Sequence, residues 1–476
     1  GNGSASNLAL QSITGTQGGV SSNLTFNVAR FNSVQNGTIN TIPINVIGGN
    51  INVNGTIGTD IGNFNITNSG ITVFNQSVDA AFINIVKNDG GINFKGTVGS
   101  FSPIGLAPTI TIGAISQGAF ITFQDNLTAT SFNSTGSNLN YGLQFLGSNT
   151  TVTNNTNLLN TGGIVLGDSI DTLSFLGGLN VDFNSPVQIS GTIQSQGAPI
   201  NIASNNIING NVEIGITLNS NSIIQTTFGP AGVSAPISLG RVFSNSNSLT
   251  LDAGNNTGSV ISIDELRGDG GSLIIVNSAG ATISQVGRLT SNASSFASET
   301  FGSISILDSV NTILFDGPIL TNKLITFEKN YNVAFNGSTL ATVDNDQRIF
   351  IITDTNPTVF RNRGDVTLGV NGSDPTGLMD FFIFNGGVDT TPITGITNLA
   401  ARVYTNNTNI IFDDISINSS TFLNTYLSSV AINDFLDLGF STNQTSNILN
   451  IFGYPNSSGF SLLAGSEVLP FTTGSI

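Results

Sequence analysis

Between Ile42 and Val73 the chain alternates apolar and polar residues in four short runs: Ile42-Pro-Ile-Asn-Val46, Ile51-Asn-Val-Asn54, Phe64-Asn-Ile66 and Ile71-Thr-Val73. Alternation with period two, carried by β-branched and aromatic residues, predicts half-buried strands. Gly, Asn, Asp and Ser separate the runs, and the gaps are too short to hold helices. In this reading the first and third residues of each run face inward, and the residues between them face water. Gly or Asn then takes the left-handed conformation that turns a corner.

The same pattern recurs along most of the chain. It reads Ile92-Asn-Phe-Lys-Gly-Thr-Val98, Ile121-Thr-Phe-Gln124, Leu143-Gln-Phe-Leu-Gly147 and Val187-Gln-Ile-Ser-Gly-Thr-Ile193. Later it reads Ile313-Leu-Phe-Asp-Gly-Pro-Ile319, Ile325-Thr-Phe-Glu328, Val333-Ala-Phe-Asn-Gly337 and Phe382-Ile-Phe-Asn-Gly386. Spacings near multiples of roughly 20 to 30 residues predict stacked coils. The expected fold is all-β: a parallel β-solenoid over residues 1–399, with an irregular cap or assembly region over 400–476. In that region Phe422, Leu423, Tyr426, Leu427, Val430 and Ala431 recur at helical spacing, which predicts a short helix. Inward Asn residues are expected to form ladders between coils. Tandem β-sandwich domains remain the competing architecture, since they too are built of short strands with frequent turns.

Composition narrows the class. The 476 residues carry 28 Asp plus Glu and 12 Lys plus Arg, a formal net charge of −16, with no Cys and no His. Charged residues are only 8% of the chain, so the polar surface must be built from Asn, Ser, Thr and Gln. The 32 Phe exclude a disordered chain, and no apolar run is long enough for a spanning helix. Without Cys or His there is no thiolate, no Ser–His triad and no His-ligated metal. Only Arg30, Lys87 and Lys95 are cationic before residue 241, which argues against a nucleic-acid partner. Gly1-Asn-Gly-Ser4 does not read as the start of a nascent chain, so a removed leader or a longer parent is expected.

Candidate chemistry is sparse. Asp344, Asp346, Asp413 and Asp414 are the candidate ligands of a structural calcium ion, each with an ordinary turn as the plainer reading. Asp264-Glu265 with Arg267 and Asp269 is the densest charged group and the only candidate for a glycosidase-like carboxylate pair; a solvated corner is the plainer reading. Arg363-Gly-Asp365 matches an integrin-contact tripeptide, with an ordinary turn as the plainer reading. Asn-x-Ser/Thr triplets, among them those at Asn54, Asn126 and Asn133, permit glycosylation.

With its repeats laid out, the chain resembles the passenger region of bacterial autotransporters, nearest to the rickettsial outer-membrane surface antigens. The resemblance rests on segments such as Ile51-Asn-Val-Asn-Gly-Thr-Ile57, Ile92-Asn-Phe-Lys-Gly-Thr-Val98 and Val333-Ala-Phe-Asn-Gly-Ser338 and covers roughly residues 1 to 400. It implies a surface-exposed β-helix, in some members an adhesin for host cells. No C-terminal membrane barrel pattern ends the chain. The expected function is a non-enzymatic extracellular structural protein without a required cofactor: a self-associating surface-layer or filament subunit or a displayed passenger. An adhesin for a host protein or glycan is the first alternative, and a polysaccharide-degrading β-helix the second.

Overall fold

The computed structural model describes residues 8–10, 22–27, 29–31, 46–48, 50–100, 107–134, 140–182, 184–205, 207–208, 212–288, 299–335, 349–369, 380–406, 408–412, 414–417, 421–424, 430–432, 436–437, 449–452 and 461–462. Two units divide the chain. The first comprises Gly1–Val233 with Ser238–Gly240, and the second Ser234–Ile237 with Arg241–Ile476. Each is a parallel β-solenoid, and no described residue is helical.

In the first unit a coil has three short strands. One coil holds Phe120–Phe123, Leu127–Ala129 and Ser131–Ser134; the next holds Gly142–Phe145, Asn149–Val152 and Thr156–Leu158. Each strand pairs in parallel with its counterpart one coil on. Along one face the pairing runs through Ile51–Val53, Thr72–Phe74, Ile92–Phe94, Ile121, Leu143, Ile164 and Val187. In the second unit the equivalent series runs through Ile261–Arg267, Ala281–Ile283, Ile313–Phe315, Val333–Phe335, Val366–Leu368 and Thr397–Leu399. Parallel stacking of successive segments excludes the sandwich alternative, whose sheets are antiparallel. Among the described residues, antiparallel pairing is confined to short excursions such as Ile207–Ile208 with Val212–Glu213.

The inward columns form the core. Phe74, Phe94, Phe123 and Phe145 stack along one column, with centroids 4.9, 5.0 and 5.5 Å apart and rings within 12° of parallel. In the second unit Phe315 stacks on Phe335 at 5.0 Å and Phe350 on Phe382 at 4.5 Å. The coil spacing of about 4.8 Å brings like rings into contact, so one aromatic per coil fills the column.

Two runs are shifted by one residue from the expected register. Ile71 is 55% exposed, whereas Thr72 and Phe74 are buried. Likewise Phe327 is exposed, whereas Leu324 and Thr326 are buried. At the first site, the shift aligns Phe74 with Val53 and Phe94 in the ring column. Burying Thr72 is made tolerable by its hydroxyl, which lies 3.1 Å from the Gly70 carbonyl and 3.0 Å from Ser69 Oγ.

The amide ladders also differ from expectation: they lie outside. Asn84 donates to Asn65 Oδ1 at 2.9 Å, Asn201 to Asn180 Oδ1 at 2.8 Å, and Asn406 to Asn385 Oδ1 at 2.9 Å. An outward amide can meet water with its remaining groups, whereas an inward one must satisfy all of them within the protein. The buried Asn residues instead tie corners to the main chain. Asn88 donates to Gly70 O at 2.6 Å and accepts from Gly91 N at 2.5 Å. Gly91 has φ +94°, and a Cβ there would lie 2.9 Å from the Phe120 carbonyl oxygen, so this corner requires glycine.

Among the described residues past Leu399 the pairing does not change. Ala401–Thr405 pairs in parallel with Thr421–Asn424, and that strand with Leu449–Phe452. The expected helix is corrected where the stretch is described: Phe422 and Leu423 lie in a strand, and Val430–Ile432 pairs with Ile410–Phe412, while Tyr426 and Leu427 lie outside the described residues. A stacked coil offers main-chain partners for every residue of the next one, and this outweighs a short helical pattern that must nucleate alone.

Burial pushes the Tyr141 and Tyr331 hydroxyls up to about 12. Tyr331 OH donates to Ile306 O at 2.9 Å and accepts from Phe327 N at 3.0 Å. A raised folded value means that stability is fully present below about pH 10 and is lost as pH rises toward 12. Ultraviolet titration of the folded chain should show Tyr141 and Tyr331 ionising late, and unfolding in denaturant should bring both back near 10.

Candidate functional site

The densest charged group does not stay together. Asp264 and Asp269 are exposed, while Glu265 and Arg267 are buried. The alternation of Ile261–Arg267 breaks after Asp264, so Glu265, Leu266 and Arg267 are all buried. Glu265 joins Arg267 and Arg241. Arg241 Nε lies 2.5 Å from Glu265 Oε2, and Arg267 Nε bonds Glu265 Oε1. The three residues are 7%, 6% and 5% exposed in the order Arg241, Glu265, Arg267, so the triad is desolvated. This corrects the expectation of a solvated corner. Arg241 gave no local signal in sequence, because it comes from a strand 24 residues upstream.

Glu265 here is a carboxylate clamped between two guanidiniums. With both oxygens taken by guanidiniums in a desolvated site, it has no open face toward a substrate. Asp269 is also engaged: its Oδ1 accepts the Thr300 main-chain N–H at 3.0 Å, which links two coils.

Arg363-Gly-Asp365 is built into a coil corner. Asp365 N donates to Asn332 Oδ1 at 2.8 Å, and Asp365 Oδ1 accepts from Ile396 N at 2.9 Å. Asn332, Asp365 and Ile396 each precede a core strand in successive coils, so one side chain per coil caps the next. The same device joins Asn50 to Ile71 N at 3.0 Å. Arg363 is exposed and pairs with Glu328 at 2.9 Å. Together with Asp308 and Lys329, 3.8 Å apart, this pair lines an open groove beside Val310. An exposed pair of this kind contributes little, whereas the cap is an inter-coil bond. Asp365→Ala should therefore lower unfolding stability by about 1 kcal/mol, and Arg363→Ala by less than about 0.5 kcal/mol, both read from denaturant melts.

The Asp168–Asp171 turn is a further acidic feature. The buried Asp171 Oδ2 accepts from Asp168 N at 2.8 Å, and its Oδ1 from Ser169 Oγ at 3.1 Å. Burial, with the neighbouring Asp171, raises the Asp168 carboxyl above its ordinary value. Asp171 again spends its oxygens on shaping a turn.

Of the calcium candidates, Asp344, Asp346 and Asp413 lie outside the described residues. Asp414 is half-buried, and its main-chain carbonyl accepts from Thr397 N at 2.9 Å. Among the described residues, no three acidic side chains gather as a metal site, and no helix is long and apolar enough to cross a membrane. Comparison with family models, curated proteins and solved structures finds no match to this chain.

Proposed function

We propose that the chain is a non-enzymatic extracellular structural protein, a surface-layer or filament subunit or a displayed passenger, that associates with its own kind. The observation that carries this reading is how the acidic groups are used. Glu265 is clamped by Arg241 and Arg267, Asp365 caps Ile396, Asp269 caps Thr300 and Asp171 shapes its turn. Of the carboxylates that sequence singled out as chemistry, Glu265, Asp269 and Asp365 hold coils together instead.

The outer surface supports the same reading. It carries ladders of neutral amides and hydroxyls, such as Asn52 with Asn75 at 2.8 Å and Thr122 with Gln144 at 2.8 Å. Sparse charge lowers the repulsion between copies and favours association. The test is light scattering of the purified chain at physiological salt over a wide concentration range. Growth of ordered particles with concentration supports the proposal. A monomer at every concentration, or release of sugar from a panel of polysaccharides, overturns it.

A further inference from the structure

One outer face of the first unit carries an unusually regular column. Asn65 pairs in register with Asn84, Asn84 with Thr111, and Thr111 with Asn133. Asn133 pairs with Asn157, Asn157 with Asn180, and Asn180 with Asn201. Seven successive coils thus present six Asn and one Thr at one outward position. All seven are half-buried, their neighbours on either side in the strand being inward core residues such as Ile83 and Ile85.

Three apolar side chains stand outward beside the column where polar ones would be expected. Phe82 and Val86 flank Asn84 and are 47% and 53% exposed; Leu159 lies beside Asn157 and is 37% exposed. From Asn63 to Asn157, the outward residues two positions either side of each rung are uncharged where described. Asp182 flanks Asn180 two positions on, as Val86 flanks Asn84, and Lys87, paired with Asp89 at 3.3 Å, lies three positions from Asn84. On a chain of net charge −16, this strip carries one charged flank, Asp182, which the pairing below sets opposite Val86 and not opposite another carboxylate.

We infer that this face docks a second copy of the chain, face to face about a two-fold axis. This rests on the proposed self-association and assigns it a surface. The periodicity selects the occupant. Rungs repeat every 4.7–4.9 Å or so because they are hydrogen-bonded strands, and another stack of the same coils matches that repeat over the whole column. An isologous contact makes the strip self-complementary, so the central rung, Asn133, lies on the axis facing its counterpart. Asn84 then meets Asn180 of the second copy, and Thr111 meets Asn157. Phe82, opposite Gly178, supplies the apolar contact that amides alone lack.

Seven rungs span only about 30 Å, and a strip of that length one strand wide buries less than the roughly 800 Å² per partner of a standard interface, so a single contact is weak. Display of many copies on one surface makes a weak contact effective.

The chain has no cysteine, so crosslinking reads the geometry directly. Asn133→Cys in the full chain, oxidised at high protein concentration, should give a disulfide dimer as the main product. Gln144→Cys, on a different face, should give several-fold less. Asn84→Asp combined with Asn133→Asp and Asn157→Asp should keep the wild-type far-ultraviolet spectrum and lose at least tenfold in self-association by sedimentation equilibrium. Equal crosslinking of the two cysteine variants overturns the inference, as does undiminished association of the triple variant. If these occur while the wild type still forms ordered assemblies, the assigned face is wrong and the structural role stands. If the wild type stays monomeric, both fall.

Discussion

Glu265→Gln lowers the stability of the second unit by about 3–5 kcal/mol, the expected cost of removing one partner from a buried ion group. The substitution keeps shape and leaves Arg241 and Arg267 without the carboxylate between them. Two like charges then face each other in a desolvated site, where attraction to Glu265 had offset their burial. Replacing all three with apolar residues of similar volume, as in Arg241→Met, Glu265→Leu and Arg267→Met together, should be neutral or stabilising by about 1–4 kcal/mol. Denaturant melts and hydrogen exchange over Ile261–Arg267 check both. A Glu265→Gln melt equal to that of the wild type would show that the triad contributes nothing.

Phe123→Ala costs about 3–5 kcal/mol. Phe123 is fully buried, stacks on Phe94 at 5.0 Å and Phe145 at 5.5 Å, and meets Phe132 edge-on at 5.9 Å. Truncation opens a void in a column that coils on either side cannot close, because inter-coil hydrogen bonds fix their spacing. Its effect should be local first. Exchange protection should fall most in Phe120–Phe123 and in the paired strands Ile92–Phe94 and Gly142–Phe145. Phe82→Ala, on the outer face, should change monomer stability by no more than about 0.5 kcal/mol. Similar losses for the two variants would contradict the assignment of inner and outer faces.

These two sites show what sequence could and could not reveal. Ile121-Thr-Phe123 announces itself, since period-two alternation before a polar corner is a local pattern and the core follows from it. Ile71-Thr-Val-Phe74 offers two registers, and local pattern favours the wrong one. Only the neighbouring coils, which place Val53 and Phe94 in the column, select Phe74. The helix expected on Phe422, Leu423, Val430 and Ala431 fails for a related reason: the apolar spacing suits a helix, but the coil beneath supplies strand partners to these four residues.

The charged cluster was legible only in part. Glu265 and Arg267 are close in sequence, but Arg241 arrives through the stacking of coils. Its arrival changes a solvated corner into a buried triad. The caps made by Asn332 and Asp365 are hidden in the same way, because each bond crosses more than 30 residues. The outward column from Asn65 to Asn201 is invisible in sequence, because unequal loop lengths scatter its members. Register alone lines them up.

The central claim is that these coils serve as a polar-faced structural unit that packs against copies of itself. Electron microscopy of native material from the source cells tests it most directly. The account predicts ordered arrays or fibres containing the chain on the outer surface. Dispersed single particles, or a location inside the cell, would contradict it.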